Sequence, residues 1–168
     1  MLDKKVVELL NNQVNKEFYS AYLYLSMSAY FSEIGLYGFS NWTKIQSKEE
    51  IDHGMILFEY VLGRNSQIHL AQISIPVFDM NSPLDVFEQI YKHERSITTA
   101  IDAVVAMTEG ECDLSTRNFI DWYLKEQIKE ETAVSRIIAK LKAFGAEKSA
   151  LYLIDRELSN REYSSPNY

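Results

Sequence analysis

Residues 42–60 read WTKIQSKEEIDHGMILFEY, and the apolar side chains in this stretch have the spacing of a helix. Steps of three and four residues select one helical face, because 3.6 residues complete a turn. This face consists of Trp42, Gln46, Glu50, His53, Leu57 and Tyr60. It is apolar toward both ends and carries an acid and a histidine in the middle. The stretch therefore predicts a long helix that directs polar, ligand-type side chains into a protein core.

Three further segments show the same mixture of apolar and polar side chains on one face. The same steps select Leu10, Val14, Glu17, Ala21 and Tyr24 in the first segment, Phe87, Ile90, Glu94, Ile97 and Ile101 in the second, and Ile120, Tyr123, Gln127, Glu130, Val134, Ile137 and Leu141 in the third. Each face is mainly apolar, with its acids or amides near the middle. Four helices are thus expected to contribute polar groups at a similar depth in one core.

Glycine and proline divide the chain into these helices. Breaks are expected at residues 35–38, at about 63–83, at 110–113 and at Gly145. They leave four helical stretches of roughly 25 to 30 residues, each about 40 Å long at 1.5 Å per residue, and a shorter fifth stretch. Ser82 and Pro83 have the residue types of a helix N-cap and first helical position, and Gly145 has that of a C-cap.

The second connection is much longer than the other three. It spans nearly twenty residues, and loops of that length are uncommon inside a compact domain. Two antiparallel helical hairpins need such a connection if the chain must cross from one end of the bundle to the other. The sequence therefore predicts an all-α four-helix bundle with one long crossover connection and a short fifth C-terminal helix.

The composition argues against several classes of function. A formal net charge of −7 is unfavourable for a nucleic-acid partner, which requires a basic surface. No apolar run approaches the roughly 18 residues of a membrane span, and the first residues lack an apolar signal core, so we expect no membrane partner and a cytoplasmic location. The single cysteine, Cys112, cannot supply a thiolate cluster for zinc or iron–sulfur binding.

Acids directed into one core from several helices require compensation for their charge. Burying an unpaired carboxylate costs roughly several kcal/mol, and neighbouring carboxylates also repel one another. Glu50 and His53 are three positions apart and share a helical face, so both side chains could bind the same ion. A ligand set rich in oxygen, with one imidazole and no thiolate, suits Fe²⁺, Mn²⁺ or Zn²⁺. The pattern therefore predicts a metal cluster inside the bundle.

A metal-free helical interaction module is the alternative from another class. In such a module the interior acids would pair with Lys or Arg, and a single Glu on a helix is in most proteins solvated or salt-bridged. However, none of the four traced faces contains a Lys or an Arg. The coincidence of polar groups on four helices, together with the Glu-x-x-His step, favours the metal cluster.

Several motifs of the chain resemble those of the non-haem ferritins of bacteria and archaea. They are NQVNKE at 12–17, YSAYLY at 19–24, EEIDH at 49–53, HE at 93–94, EQIKEE at 126–131 and LYLIDREL at 151–158. The resemblance implies a ferritin-like di-iron domain over residues 1–162, while residues 163–168 read as a disordered tail. The fold that it implies is the ferritin-like four-helix bundle with one long crossover.

The resemblance also implies a function in iron storage with ferroxidase activity. Fe²⁺ would be oxidised by O₂ or H₂O₂ at a di-iron centre, and Fe³⁺ would be stored as mineral inside a homo-oligomeric shell of 24 subunits. By the resemblance, Glu17, Glu50 and His53 would bind one iron ion. Glu50 would bridge to a second ion, which Glu94 and Glu130 would bind.

Other residues near the centre are also assigned through the resemblance. Gln127 would be a weak ligand or a hydrogen-bond partner, and Tyr24 would be either a one-electron donor or a core phenol bonded to a carboxylate.

The histidines outside the motif, His69 and His93, are expected at the surface. Gly54, directly after the histidine of the motif, is expected to allow close helix packing beside the centre.

A third iron site of this family would use Glu49, Glu126 and a further carboxylate at a position that is Lys129 in this chain. A lysine removes a donor and adds repulsion, so the third site is either absent or restricted to Glu49, Glu126 and Glu130.

Haem is not expected, because Ile51 occupies the position of the haem-ligating methionine of bacterioferritins. A rubrerythrin-like peroxidase or an oxygenase of the same bundle type is a further alternative. Such enzymes generally show two Glu-x-x-His steps, and a rubrerythrin adds a Cys-x-x-Cys domain, which a single cysteine cannot supply.

Overall fold

The computed structural model describes residues 2–79 and 81–165, and in this part of the chain all regular structure is helical. The helices are α1 (Lys4–Glu33), α2 (Tyr37–Gly63), α3 (Pro83–Gly110), α4 (Leu114–Phe144) and α5 (Lys148–Leu158). The predicted all-α fold, with four long helices, one long crossover and a short fifth helix, is confirmed. None of the described helices combines the length and the hydropathy that a membrane span requires.

The helix ends follow the predicted chemistry with one difference. The Ser82 hydroxyl accepts a hydrogen bond from the backbone N–H of Asp85 at 3.1 Å, with Pro83 as the first helical residue. Gly145 is the C-cap of α4. The predicted break at 35–38 is shorter than expected, because α2 already begins at Tyr37 and includes Gly38.

Among the described residues, the core consists of two apolar clusters, one toward each end of the bundle. The first cluster contains Leu23, Tyr24, Met27, Phe31, Phe39, Trp42, Val86, Phe87, Ile90, Val134, Ile137, Leu141, Ile154 and Leu158. The second contains Leu2, Val6, Leu10, Val14, Leu57, Val61, Ile97, Ile101, Val104, Ile120 and Tyr123. The start of α2 therefore packs beside the start of α3, so these two helices run parallel and the crossover must span the length of the bundle.

The beginning of the crossover is attached to α1 by two asparagine side chains. Asn11 Nδ2 donates to the backbone O of Gln67 at 2.9 Å, and Asn11 Oδ1 accepts from the N–H of His69 at 2.7 Å. One helical turn later, Asn15 Nδ2 donates to the O of His69 at 2.9 Å, and Asn15 Oδ1 accepts from the N–H of Ala71 at 2.7 Å. These side chains satisfy backbone groups that a neighbouring strand would satisfy in a sheet.

The short helix α5 closes the end of the bundle at the α1–α2 turn. Asp155 Oδ1 accepts hydrogen bonds from the backbone N–H groups of Gly38 at 2.7 Å and Phe39 at 3.0 Å, and so satisfies unpaired donors in the first turn of α2. The backbone of Asp155 lies so close that a Cβ on residue 38 would overlap its carbonyl oxygen. Glycine is therefore required at this contact.

Candidate metal centre

The polar residues of the four traced faces meet in the middle of the bundle, between the two apolar clusters. Their side chains are buried in every case, with no more than 8% of each residue exposed: Glu17, Glu50, His53, Glu94, Gln127 and Glu130. The prediction that these side chains point into the core is confirmed. The position follows from the helix pattern, because apolar residues precede and follow each polar group on the same face.

Glu17 and the Glu50–His53 step lie close together. Each of the three side chains offers one potential ligand atom, and these atoms all lie within 4.8 Å of one another. His53 Nδ1 is 3.4 Å from Glu50 Oε2 and 3.9 Å from Glu130 Oε1. The Glu130 carboxylate of α4 thus lies near the same histidine as Glu50 of α2.

Glu94 lies beside this group and accepts hydrogen bonds from two further residues. The Tyr24 hydroxyl donates to Glu94 Oε1, which matches the sequence-based alternative of a core phenol bonded to a carboxylate. Gln127 Nε2 donates to Glu94 Oε2 at 3.2 Å and to the Glu94 backbone O at 3.3 Å. The geometry places Gln127 and Tyr24 as hydrogen-bond partners of Glu94, and electron donation by Tyr24 stays a prediction.

Two buried glutamines complete the centre, and the sequence analysis gave neither of them a role. Gln46 Nε2 donates to Glu50 Oε1 and to Glu130 Oε1, both at 2.7 Å, so it joins carboxylates of two helices. Gln13 Nε2 donates to Glu17 Oε1. For Gln46 the signal was its place on the inner face of α2. Gln13 lies just beside the traced face of α1, so the tracing missed it.

Burial dominates the electrostatics of the acids. It raises the pKa of Glu17 to about 8, and repulsion from Glu50 adds to the effect. Burial likewise raises the pKa of Glu50 to about 8 and that of Glu94 to about 7, and it raises the pKa of Glu130 strongly. In the absence of metal, neutral pH therefore favours protons on several of these carboxyl groups.

The side chains of the centre leave some of one another's buried polar atoms without partners, and a metal ion would satisfy these atoms. Glu17 Oε2, His53 Nδ1 and Glu130 Oε2 are buried without a hydrogen-bond partner in the described part of the chain. Such unpaired buried groups cost about 1–3 kcal/mol each. Within residues 2–79 and 81–165, no Lys or Arg forms an ion pair with Glu17, Glu50, Glu94 or Glu130. The ion-paired, metal-free alternative therefore does not describe this core.

Two of the residues expected at a third iron site, Glu49 and Glu126, lie outside the buried cluster, whereas Glu130 belongs to it. Glu49 is partly buried and forms an ion pair with Arg161, whereas Glu126 forms an ion pair with Lys129 at 2.8 Å. They line a small pocket of about 170 Å³ that also reaches His53. In this structure each of the two acids is thus neutralised by a cation of the protein.

The predictions for His93, His69 and Gly54 have different outcomes. His93 is only partly exposed, contrary to prediction, because its ring nitrogen Nε2 lies 2.7 Å from Ser20 Oγ and the ring packs near Tyr19. His69 is exposed, as predicted. At Gly54, a Cβ would lie 3.0 Å from Phe18 Cε1 and 3.3 Å from the Cβ of Glu17, so the glycine does allow close packing of α1 and α2 at the centre.

A four-helix bundle with one long crossover and a buried carboxylate–histidine cluster defines the class of ferritin-like metal-binding proteins. Comparison with known proteins gives the particular family. The family model for the ferritin-like domain matches residues 7–144. The chain belongs to the ferritin family, and the relatives that match it include proteins named bacterial non-heme ferritin.

The relatives match along nearly the whole chain. The bacterial non-heme ferritin of Campylobacter jejuni is 41% identical over 160 residues, which cover 95% of this chain and 96% of the relative. The bacterial non-heme ferritin of Bacteroides fragilis is 34% identical over 161 residues, covering 96% of this chain and 100% of the relative. The crystal structure of an open pore ferritin from the hyperthermophilic archaeon Archaeoglobus fulgidus is 45% identical, with a TM-score of 0.94 and coverage of 96% of this chain and 98% of that one.

Proposed function

We propose that this ferritin oxidises Fe²⁺ to Fe³⁺ at the cluster in the middle of its bundle and thereby loads the iron that the family stores. The observation that carries the proposal is that Glu17, Glu50 and Glu130 lie around His53 in a buried core that also holds Glu94, without Lys or Arg partners in the described part of the chain. Buried acids in this arrangement are stabilised by cations, and iron is the cation that the family's name implies.

The ligand assignment follows the proximity of the side chains. Glu17, Glu50 and His53 would bind one Fe²⁺, since their ligand atoms lie within 4.8 Å of one another. Glu50 would also reach a second Fe²⁺ bound by Glu94 and Glu130, because Glu50 interacts electrostatically with Glu94 and is joined to Glu130 through Gln46. Two carboxylate-bridged ions are a recurrent arrangement in bundles of this type.

The reaction couples iron oxidation to reduction of an oxidant. Two Fe²⁺ ions lose one electron each, and the two electrons reduce O₂ with two protons to H₂O₂, or H₂O₂ with two protons to water. Carboxylates favour the product, because hard Fe³⁺ binds anionic oxygen more strongly than Fe²⁺ does. Burial raises the pKa of Glu17 and Glu50 to about 8, so these carboxyl groups release protons when the cations bind.

The surroundings of the cluster support this chemistry in two ways. The apolar clusters above and below it exclude water, which strengthens the electrostatic interactions of the bound cations. Tyr24 donates a hydrogen bond to Glu94, a proposed ligand of the second ion, which would place its phenol beside the iron as a one-electron donor. We keep this role for Tyr24 as part of the proposal.

We also propose that the chain assembles with copies of itself, as a cage of 24 subunits in the cytoplasm. Large apolar side chains on the crossover are exposed in the single chain, with 62% of Leu70, 84% of Ile75 and 86% of Val77 accessible. Apolar side chains exposed together on one segment indicate a protein–protein contact. Storage of Fe³⁺ as mineral requires an enclosed space, which one bundle of this size does not provide.

The experiment is anaerobic addition of Fe²⁺ to the purified assembly, followed by air, with the appearance of Fe³⁺ recorded optically. Glu50→Ala should lower the initial rate of oxidation by at least about tenfold, because it removes the residue shared by both ions. Glu59→Ala, at an exposed position on the same helix, is the matched control and should oxidise iron like the parent protein. Equal initial rates and equal iron retention in Glu50→Ala and the parent protein would rule out the ferroxidase assignment.

A further inference from the structure

The chain that follows α5 returns along α2 and is held there by side chains of that helix. Asn41 Nδ2 donates to the backbone O of Ser159 at 3.3 Å and to that of Arg161 at 3.0 Å. Further along, the Tyr163 hydroxyl donates to Asp52 Oδ2. We call residues 159–165 the C-terminal segment. It belongs to no helix, yet it is bonded to α2 over about three helical turns.

Arg161 is the part of this segment that reaches inward. Its guanidinium carbon lies 4.5 Å from the centroid of the Trp42 ring, and Nη1 donates to the Trp42 backbone O at 3.2 Å. Nη2 donates to Gln46 Oε1 at 2.9 Å and forms an ion pair with Glu49. Because Glu49 neutralises the guanidinium, the arginine is placed next to the cluster without adding net charge there.

Gln46 connects this guanidinium with two carboxylates of the cluster. Its oxygen accepts from Arg161, while its nitrogen donates to Glu50 and Glu130, both at 2.7 Å. The side chain is buried, with 2% exposed. If the amide reversed, its oxygen would face two carboxylates and its NH₂ group would face the guanidinium, so all three hydrogen bonds would be lost. Arg161 therefore favours the one orientation in which Gln46 holds both acids.

We propose that Arg161 is a positioning residue for the metal centre and acts through Gln46 on Glu50 and Glu130. The inference rests on the proposed function, because it concerns the same cluster. A carboxylate that binds a metal through one oxygen keeps its orientation when the other oxygen is hydrogen-bonded. The C-terminal segment, which lies outside the four-helix bundle, thereby sets the geometry of two acids at the centre of that bundle.

Cobalt binding to the complete, metal-free assembly tests this inference without any redox reaction. Arg161→Gln should weaken Co²⁺ binding about 10- to 100-fold, the range usual for loss of a residue that orients metal ligands. It should also change the visible absorption bands of bound Co²⁺, which report ligand geometry. Arg161→Lys keeps the ion pair with Glu49 but has a single ammonium group, and it should restore only part of the affinity. Arg156→Gln removes the same charge from an exposed position of α5 and should bind Co²⁺ like the parent protein.

A double-mutant cycle separates the path through Gln46 from a direct effect of charge. Gln46→Met removes the amide and keeps a side chain of similar length. In this background Arg161→Gln should have no further effect on Co²⁺ affinity, because the connection is already broken. Additive losses, or unchanged affinity and spectrum in Arg161→Gln alone, would overturn the inference. Co²⁺ binding that is equal in the parent protein and in Glu50→Ala would instead refute the proposed metal centre itself.

Discussion

Replacing Glu17 with glutamine should stabilise the metal-free protein. The Glu17 side chain is fully buried, and one of its oxygens has no partner in the described structure. Burial raises its pKa from the usual 4.5 to about 8. Between these two pH values the folded chain binds a proton that the unfolded chain has released, so the stability falls as the pH rises. Glutamine resembles the protonated acid in shape and carries no charge in either state.

The size of the effect follows from the pKa. The interval from 4.5 to about 8 covers roughly 3.5 pH units, and one unit is worth 1.36 kcal/mol, so Glu17 destabilises the fold by about 5 kcal/mol above pH 8. At pH 7 about 3 kcal/mol of this penalty is already present, whereas below pH 4.5 none is. Glu17→Gln should therefore raise the melting temperature by roughly 6–12 °C at pH 7 and by little at pH 4.5.

Thermal melting of the metal-free assembly between pH 4.5 and 8.5, with a chelator present, measures this difference. Glu8→Gln, an exposed change on the same helix, is the control and should leave the melting temperature nearly unchanged. The order should reverse when Zn²⁺ is added, because Glu17→Gln has lost a metal ligand and gains less from the ion. A variant that melts below the parent protein at pH 8 without metal would refute the argument from buried charge.

Three further results are expected. Gly54→Ala should lower the melting temperature by a few degrees. Crowding of the new methyl group against Phe18 at 3.0 Å costs about 1–3 kcal/mol, whereas the better helix propensity of alanine contributes only about 1 kcal/mol. An unchanged melting temperature would show that the Phe18 ring moves aside freely. Asp155→Ala should speed amide hydrogen exchange at Gly38 and Phe39, since both N–H groups lose their acceptor; unaltered exchange would exclude the predicted role of this cap. Zn²⁺ binding at pH 7 should release protons from the carboxyl groups whose pKa is about 8. The heat of binding measured by calorimetry should therefore depend on the ionisation enthalpy of the buffer. A heat of binding that is the same in all buffers would contradict this proton release.

The fold could be predicted from the sequence because the helical spacing of the apolar residues and the positions of glycine and proline indicate the same helices. Helix faces traced by steps of three and four gave the residues that are buried, and the nearly twenty-residue connection required the crossover. Tyr60 shows where the tracing was least accurate, since it lies on the inner face of α2 but is only partly buried near the end of the bundle. A periodic pattern identifies a face and does not show where the neighbouring helices stop covering it.

The centre was only partly predictable for a different reason. Glu50 and His53 have the recognisable Glu-x-x-His spacing, Glu17 lies on the traced inner face of α1, and the structure brings the three side chains together. The role of Gln46 depends on Glu130 and Arg161, which are 84 and 115 positions away along the chain. Periodicity within one helix contains no information about such contacts, and the pairing of Arg161 with Glu49 has no local signal at all.

The two asparagines that hold the crossover match the spacing of residues along a helix to the spacing of peptide groups along an extended chain. Four residues of α1 advance by about 6 Å, and two residues of extended chain advance by about 6.6 Å, so the spacing of Asn11 and Asn15 matches alternate peptide groups between Gln67 and Ala71. A slip of the crossover by one residue would present each amide with the wrong peptide face. Side chains on one helix thus fix the register of a segment that has no partner strand, and with it the point from which the chain departs toward α3.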